Sequence, residues 1–478
     1  MKKVVALIIF SVILTASAYC EDSYIPPSSL MVPSGTDAVT PIGGKNIIVG
    51  TEPTNCPNDD TTTCIERLQV GTVLFDANTI PAQSEILGSV IYEDNFSSDA
   101  NWSLSGSSCT WSVSGNVGTL DDSNAAGVCT LELSLTGLRT PPAEPYIIEF
   151  VGEFSSTTLL NNIILSGSGG SIFTSILNWN GSSVVANTLN TSSQSTAAVN
   201  DAPADLDLAD PFRLLMLIDP TVLECRLYLY YINTTPDMQY HLVSSATTFS
   251  YQASNIPNVL RMITGSSGTG TFTIENFYIY TPFAVLVGDS IAQGHPRWAS
   301  LMGYANTTAQ QTDIGLWLER GLGEDVKVVN QGDGGHAIAD LLSRYDDDIL
   351  PFKTPYVFLN IGTNDAYAGT TMATAQTNLE TIVDGIIANG SVVILNDIAP
   401  RNNFDATMNT WKDSWNTWLV TFADGKAGCY LSQSHDSLED PVTPDDLRTI
   451  YDSGDGVHLI AGGQRIVATE MLKTMVGR

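Results

Sequence analysis

Basic residues are scarce in this sequence of 478 residues. Lys and Arg total 20, against 51 Asp and Glu, and the formal net charge is −31. This negative charge repels nucleic acids and anionic membranes at long range. We therefore expect neither as a partner. The charge itself is typical of an extracellular or salt-adapted protein and favours solubility.

Histidines and metal-ligand patterns are also rare. The chain has five histidines, and its seven cysteines form no CxxC motif and no Cys/His cluster. A structural zinc site therefore has no support from spacing. Because an exported chain can form disulfides, the short spacings favour two pairs, Cys56 with Cys64 and Cys109 with Cys129.

No apolar run after residue 18 is long enough to span a bilayer, so we expect no integral membrane segment in the mature chain. The first 18 residues, MKKVVALIIFSVILTASA, combine two lysines, a short apolar run and the small residues 16–18. This pattern predicts a signal peptide, residues 1–18, and a secreted, extracellular or periplasmic protein. An uncleaved N-terminal anchor is the alternative, whereas lipid attachment at Cys20 is disfavoured by the residues before it.

The remaining length predicts a multidomain chain, because 478 residues exceed one ordinary core. Residues 19–90 indicate an irregular or extended lead-in. Residues 91–281 consist of short β-type segments between Gly, Ser and Asn clusters, which predict an all-β sandwich or jelly roll. The clearest of these segments are Tyr146–Phe154, Leu159–Leu165, Phe212–Ile218, Cys225–Ile232 and Thr271–Tyr280.

Three stretches of this β region resemble concanavalin A-like or laminin G-like sandwiches: IYEDNFSSDANWSLSG, ECRLYLYYINTT and TFTIENFYIYTP. The resemblance implies a lectin-like domain, and exposed aromatic side chains would then contact glycans. Trp102, Trp111 and Trp179 are the candidates, with packing inside the sandwich as the alternative for each.

Residues 283–478 alternate between strand and helix patterns, which predicts an open parallel sheet with helices on both faces. The predicted strands are Phe283–Val287, Val326–Asn330, Tyr356–Ile361, Val392–Asn396 and Cys429–Leu431. The predicted helices are Thr312–Arg320, Ala337–Tyr345, Thr371–Ala388, Met408–Phe422 and Ala461–Met475. Ligands of such sheets bind at the carboxyl ends of the strands.

Three motifs follow the first three of these strands. GDS (288–290) places a serine hydroxyl at a helix N-terminus, which favours developing negative charge. QGDGG (331–335) is a turn whose backbone N–H groups can approach a substrate closely. GTND (362–365) supplies an amide that can donate to an oxyanion. Taken singly, Ser290 could be a helix-capping residue and Asn364 an Asx-turn residue.

A fourth motif, DGVH (455–458), precedes the last predicted helix. An Asp three residues before a His can hydrogen-bond one ring nitrogen and leave the other free to deprotonate a serine. A surface-loop histidine is the alternative for His458. A zinc site there lacks a second histidine at ligand spacing.

In this order, GDS, an NxGxxG turn that begins at Asn330, GTND and DxxH resemble the sequence blocks of the SGNH (GDSL-like) hydrolases. The resemblance covers residues 283–478 and implies a three-layer α/β domain with a parallel, flavodoxin-like sheet. It implies a serine esterase that needs no cofactor and no metal. Ser290 would be the nucleophile, His458 the general base and Asp455 the residue that orients it.

The same resemblance implies an oxyanion hole made of the N–H groups of Ser290 and Gly335 and the side chain of Asn364. Gly335 is preferred to Gly332, because the glycine used in the family closes the turn. Asp289 and Asp365 match positions expected to organise loops. Asp333, His336 and His295 are further candidates for substrate contact.

The substrate is expected to be an acylated carbohydrate or a small ester, with O-acetyl or other short-acyl groups on extracellular polysaccharide favoured. A lipase, arylesterase or thioesterase is the alternative enzyme, and a non-catalytic carbohydrate-binding or adhesion protein is the alternative of another class. The oligomeric state is left open. Only Thr281 and Pro282 join the two domains, so we expect no independent swinging, and we expect the sandwich to aid targeting more than chemistry.

Overall fold

The computed structural model describes residues 90–98, 101–106, 109–122, 128–135, 144–155, 212–232, 257–264, 269–294, 313–323 and 326–477, and the backbone of strands at 46–49, 62–65, 161–167, 170–179, 184–190, 193–197, 240–243 and 248–250. The predicted signal peptide and Cys56 lie outside the described residues. Strands β1 (Asn46–Val49) and β2 (Thr62–Ile65) pair in parallel and belong to a small separate unit.

Two antiparallel sheets form the N-terminal part of the large unit. One has seven strands in the order β12-β11-β10-β9-β17-β7-β4, and the other has nine, with β15-β14-β13-β8-β18-β6-β5 in line and β3 and β16 at its sides. The strands are β3 (Val90–Asp94), β4 (Trp102–Ser105), β5 (Cys109–Ser114), β6 (Val117–Asp122), β7 (Thr130–Ser134), β8 (Tyr146–Phe154), β9 (Asn161–Gly167), β10 (Gly170–Trp179), β11 (Val184–Asn190), β12 (Ser193–Ala197), β13 (Phe212–Asp219), β14 (Glu224–Ile232), β15 (Tyr240–Val243), β16 (Thr248–Ser250), β17 (Pro257–Thr264) and β18 (Gly270–Tyr280).

The two sheets share one apolar core, because inward side chains alternate with outward ones along strands such as β6 and β7. Trp102 is buried in this core, with its indole N–H donating to Asp94 at 2.8 Å, and its ring lies 5.8 Å from that of Trp111. Trp102 therefore packs inside the sandwich, Trp111 is half-buried against the same core, and the side chain of Trp179 lies outside the described residues. The predicted disulfide between Cys109 and Cys129 is confirmed.

The C-terminal part contains the predicted parallel sheet, which is confirmed with five strands in the order β20-β19-β21-β22-β23. Its strands are β19 (Ala284–Gly288), β20 (Val328–Gly332), β21 (Tyr356–Asn360), β22 (Val392–Asn396) and β23 (Cys429–Ser432). Its helices are α1 (Ser290–Gln293), α2 (Ile314–Leu322), α3 (Ile338–Leu342), α4 (Tyr345–Asp348), α5 (Thr363–Ala368), α6 (Met372–Ala388), α7 (Ala406–Asp424), α8 (His435–Leu438) and α9 (Ala461–Gly477). Strands β19 and β20 are buried along their whole length because both faces of the sheet are covered.

The helix predicted over 337–345 was wrong in one respect, since it is two helices, α3 and α4. The break falls at Arg344, whose φ of −129° is not helical. The guanidinium of Arg344 donates instead to the carbonyl oxygens of Gln331 and Gly288 at the strand ends. These bonds favour the break over a continuous helix.

The second face of the nine-stranded sheet is buried at β8, β13, β14 and the end of β18, and there it packs against the parallel-sheet domain. The ring of Tyr228 stacks on that of Phe352 at 5.2 Å, and the hydroxyl of Tyr228 donates to the carbonyl of Asp347. Arg226 forms an ion pair with Asp347 at 2.9 Å. One continuous apolar core therefore spans the junction, with full burial of each large side chain contributing about 1.5–3 kcal/mol.

Within the part of the chain that the structure describes, no helix combines the length and the apolar composition needed to cross a bilayer.

Candidate active site

Ser290 is the first residue of α1, directly after β19. Asp289 caps this helix, with its carboxylate accepting the N–H of Ile291 at 2.9 Å. Only glycine fits at position 288, because φ is +153° and a Cβ atom there would lie 1.8 Å from the carbonyl oxygen of Asn360. Because β19 lies so close to β21 at this point, Ser290 is positioned at the carboxyl edge of the sheet.

Asp455 and His458 lie in the loop before α9 and meet Ser290 in a continuous chain of hydrogen bonds. Nε2 of His458 is 2.8 Å from Oγ of Ser290, and Nδ1 of His458 is 2.6 Å from Oδ2 of Asp455. The imidazole can therefore accept the serine proton while the carboxylate holds the opposite nitrogen.

Hydrogen bonds stabilise the ionised form of the Asp455 carboxylate. Its Oδ1 accepts the backbone N–H groups of Val457 and His458, each at 2.9 Å, and the hydroxyl of Ser453 at 3.2 Å. Burial raises the pKa of Asp455, but the hydrogen bonds from His458 and Val457 outweigh burial and bring that pKa well below its ordinary value. Such a carboxylate can stabilise an imidazolium.

The glycine-rich turn after β20 lies beside Ser290. Its first residue, Asp333, donates its N–H to the carbonyl of Gly288 at 3.0 Å, and a Cβ atom at Gly334 would lie 3.8 Å from that of Ser290. Gly335 has φ of +80°, a conformation that favours glycine, and a Cβ atom there would meet open space. The structure thus brings this turn next to Ser290, with the backbone at Gly335 accessible.

Asn364, in the first turn of α5, faces the same turn. Its amide nitrogen donates to the carbonyl of His336 at 3.0 Å. A side-chain amide has two N–H donors, so this bond leaves one for a bound oxyanion. Asp365, the next residue, accepts the N–H of Ile338 at 2.9 Å and so ties α5 to α3.

The additional sequence candidates occupy different places. Nε2 of His336 pairs with Asp333 at 3.1 Å, within the turn itself, and Nε of Arg344 lies 3.3 Å from Nδ1 of the same ring. His295 lies outside the described residues.

Two arginines near the site were not predicted. Arg344 donates to Gly288, Gln331, His336 and Asp348 and so connects the serine strand to the turn. Arg401 lies in the loop after β22 with 5% of its surface exposed. The rule that ligands bind at strand carboxyl ends could have indicated Arg401, whereas no local pattern marks Arg344.

The arrangement of His435, Asp436 and Glu439 brings three potential metal-ligand atoms within 4.8 Å of one another. The buried ammonium of Lys412 lies 3.0 Å from Nε2 of His435 and pairs with Asp445 at 2.5 Å. This positive charge disfavours a cation at the cluster.

Residues 286–466, a range that contains all four motifs, match the model of the GDSL-like lipase/acylhydrolase family. Similar solved structures include a G-D-S-L family protein from Desulfitobacterium hafniense DCB-2, at 21% identity over 41% of this chain and 99% of that chain, with a TM-score of 0.33. A GDSL-like lipase from Bacteroides thetaiotaomicron VPI-5482 has 18% identity over 41% and 87%, with a TM-score of 0.31. A variant acetyl xylan esterase from Geobacillus stearothermophilus has 18% identity over 40% and 93%, with a TM-score of 0.32. No curated protein matches the chain significantly.

Proposed function

We propose that this ester-hydrolysing serine hydrolase is secreted and removes O-acetyl or other short-acyl groups from extracellular polysaccharide. The observation that carries the proposal is the hydrogen-bonded chain from Asp455 through His458 to Ser290, with distances of 2.6 and 2.8 Å.

In the proposed reaction His458 takes the proton of Ser290 as the serine oxygen attacks the ester carbonyl. The N–H groups of Ser290 and Gly335 and the amide of Asn364 stabilise the oxyanion. His458 then protonates the leaving alcohol, and a water activated by the same imidazole hydrolyses the acyl-enzyme. Asp455 remains ionised throughout and stabilises the imidazolium.

An aromatic ledge, which we define as Tyr367, Arg401 and Phe404, supports a sugar as the alcohol half of the ester. Tyr367 follows Asn364 by three residues on α5 and is 55% exposed. The guanidinium of Arg401 lies 5.4 Å from the centre of the Tyr367 ring and 4.7 Å from that of Phe404. An exposed ring held from behind by a cation is suited to packing against the C–H face of a pyranose.

This ledge is fixed to the proposed acid–base loop. The N–H of Asn402 donates to the carbonyl of Gly456 at 2.8 Å, directly after Asp455. Burial lowers the pKa of Arg401, and its attraction to Asp289 and Asp455 opposes that effect, so the guanidinium lies within electrostatic reach of both carboxylates. A sugar on Tyr367 would therefore lie beside the scissile ester.

The predicted signal peptide and the lectin-like sequence resemblance of the sandwich are further support for an extracellular polysaccharide. Since Trp102 is buried in the core and half of Trp111 packs against it, we assign sugar contact to the ledge of the hydrolase domain rather than to these tryptophans.

Acetate release from a panel of acetylated xylan, pectin and other glycans tests the substrate. We expect release from at least one glycan by the wild type and none by Ser290→Ala. Cleavage of longer acyl esters without acetate release from any glycan would contradict the polysaccharide assignment. Hydrolysis of p-nitrophenyl acetate at equal rates by wild type and Ser290→Ala would remove the serine assignment itself.

The ledge is tested by Tyr367→Ala, with Tyr367→Trp as the matched variant that keeps an aromatic surface. Loss of one stacking partner should raise KM for an acetylated oligosaccharide about tenfold, which corresponds to about 1.4 kcal/mol. The Trp variant should stay near the wild type, and p-nitrophenyl acetate kinetics should be unchanged in both. An equal loss on both substrates would assign Tyr367 a purely structural role.

A further inference from the structure

A buried polar chain begins inside the sandwich, next to the junction. Glu149 on β8 and Arg213 on β13 form an ion pair at 2.8 Å, with 5% or less of either side chain exposed. The hydroxyl of Tyr280 donates to the same carboxylate. The guanidinium of Arg213 lies 5.2 Å from the ring centre of Tyr230, the next member of the chain.

Tyr230 then crosses the junction. Its hydroxyl donates to Oε1 of Gln331 at 2.8 Å, and the two residues are 2% and 1% exposed. Burial raises the pKa of Tyr230 well above its ordinary value, so the hydroxyl stays protonated and remains a donor. A side chain of the sandwich thus ends on the fourth residue of β20, one residue before Gly332 and the turn.

Through Arg344, Gln331 is connected both to the end of β19, which precedes Ser290, and to the glycine-rich turn. Its carbonyl oxygen accepts two N–H groups of Arg344, each at 3.1 Å. The same guanidinium reaches the carbonyl of Gly288, two residues before the serine, at 3.4 Å, and the ring of His336 at 3.3 Å. The position of Gln331 therefore affects the nucleophile strand and the glycine-rich turn together.

The turn packs closely against α1 at Gly334, where a Cβ atom would lie 2.8 Å from Oε1 of Gln293, but not at Gly335. A Cβ atom at Gly335 would meet nothing within 4 Å, so no close side-chain packing surrounds that point of the backbone. Without the Tyr230 hydroxyl, Oε1 of Gln331 would be a buried acceptor with its partner removed, which favours movement of the strand end. Displacement of a donor by about 1 Å is enough to slow a reaction strongly.

We propose that Tyr230 is a positioning residue through which the sandwich fixes the oxyanion turn of the hydrolase domain. This inference rests on the proposed oxyanion role of that turn. It gives the sandwich a part in the chemistry in addition to the targeting role that its sequence suggested.

The test compares Tyr230→Phe with Tyr228→Phe, its matched control. Tyr228 is on the same strand, is equally buried and donates across the same junction, but to the carbonyl of Asp347. With p-nitrophenyl acetate we expect kcat of Tyr230→Phe to fall about tenfold with KM nearly unchanged. Tyr228→Phe should keep kcat within about twofold of the wild type, while Tm falls to a similar extent in both variants.

A double-mutant cycle with Gln331→Met gives a second measurement. Because both changes break the same bond, the double variant should be no slower than the slower single variant. Wild-type kcat in Tyr230→Phe, equal kcat losses in the two tyrosine variants, or fully additive losses in the cycle would each overturn the inference. If Ser290→Ala is inactive while Tyr230→Phe is unaffected, only this inference fails, whereas activity in Ser290→Ala would instead refute the proposed function.

Discussion

Replacing Asp455 by Asn should remove most of the esterase activity while the loop stays folded. The reason lies in the hydrogen bonds of the two carboxylate oxygens. Oδ1 of Asp455 accepts three donors, from Ser453, Val457 and His458, whereas Oδ2 faces Nδ1 of His458. An asparagine keeps its oxygen toward the three donors, because the reverse orientation would set its NH₂ group against them. Its NH₂ group then faces Nδ1.

An N–H that donates to Nδ1 requires the imidazole proton to be on Nε2. Oγ of Ser290 lies 2.8 Å from Nε2 of His458. With a proton already on Nε2, the imidazole cannot accept the serine proton. Loss of the correct tautomer in a serine triad lowers kcat on the order of 10⁴-fold, which corresponds to about 5 kcal/mol of transition-state stabilisation.

The assay is kcat on p-nitrophenyl acetate for Asp455→Asn, with Asp452→Asn as the control. Asp452 braces the same loop by accepting the N–H groups of Gly454 and Gly456, at 2.8 and 2.9 Å. An asparagine there keeps that acceptor, so we expect kcat within about tenfold of the wild type. A loss in Asp452→Asn as large as that in Asp455→Asn would refute the tautomer argument, and so would near-wild-type kcat in Asp455→Asn.

Three further outcomes follow from the described contacts. Asn364→Ala should lower kcat about 10²–10³-fold with little change in KM in steady-state assays, and an unchanged kcat would exclude it from the oxyanion hole. Burial raises the pKa of Asp289 to about 7, so the unfolded carboxyl ionises first and the folded chain loses stability between about pH 4 and 7. In urea titrations Asp289→Asn should therefore be more stable than the wild type by on the order of 2–4 kcal/mol at pH 8 and by little at pH 4, and a pH-independent difference would contradict the shift. Replacing Cys109 and Cys129 by Ser should lower the free energy of unfolding by about 3 kcal/mol, given a separation of 20 residues, without changing the rate on p-nitrophenyl acetate.

The motif residues could be placed from sequence because a parallel sheet aligns the ends of its strands. The apolar runs of β19 and β21 are visible as such, since both faces of the sheet are covered. A polar motif directly after each run must then lie at one edge. Ser290 and His458 meet there although 168 residues separate them.

Arg344 and Arg401 could not be placed in this way, because each is an isolated cation whose position depends on packing. The periodicity around Arg344 favours one continuous helix, yet the residue leaves helical geometry to donate to two strand-end carbonyls. The stacking of Arg401 on Tyr367 joins the loop after β22 to helix α5, and no sequence pattern relates these two residues.

The sandwich sequence did contain a sign of the junction. In β13, with the sequence FRLLMLID, the apolar residues do not alternate with polar ones, and the described side chains point to both faces and are buried on both. A sheet with one face in water would alternate, so such a strand needs a second layer over its outer face. The parallel-sheet domain is that layer: Leu214 and Met216 lie in the core between the sheets, whereas Leu215 and Leu217 lie in the core shared with the hydrolase domain. Separating the domains would expose this second face to water. The sandwich and the parallel sheet therefore stabilise each other, and a substitution in one domain changes the stability of the other.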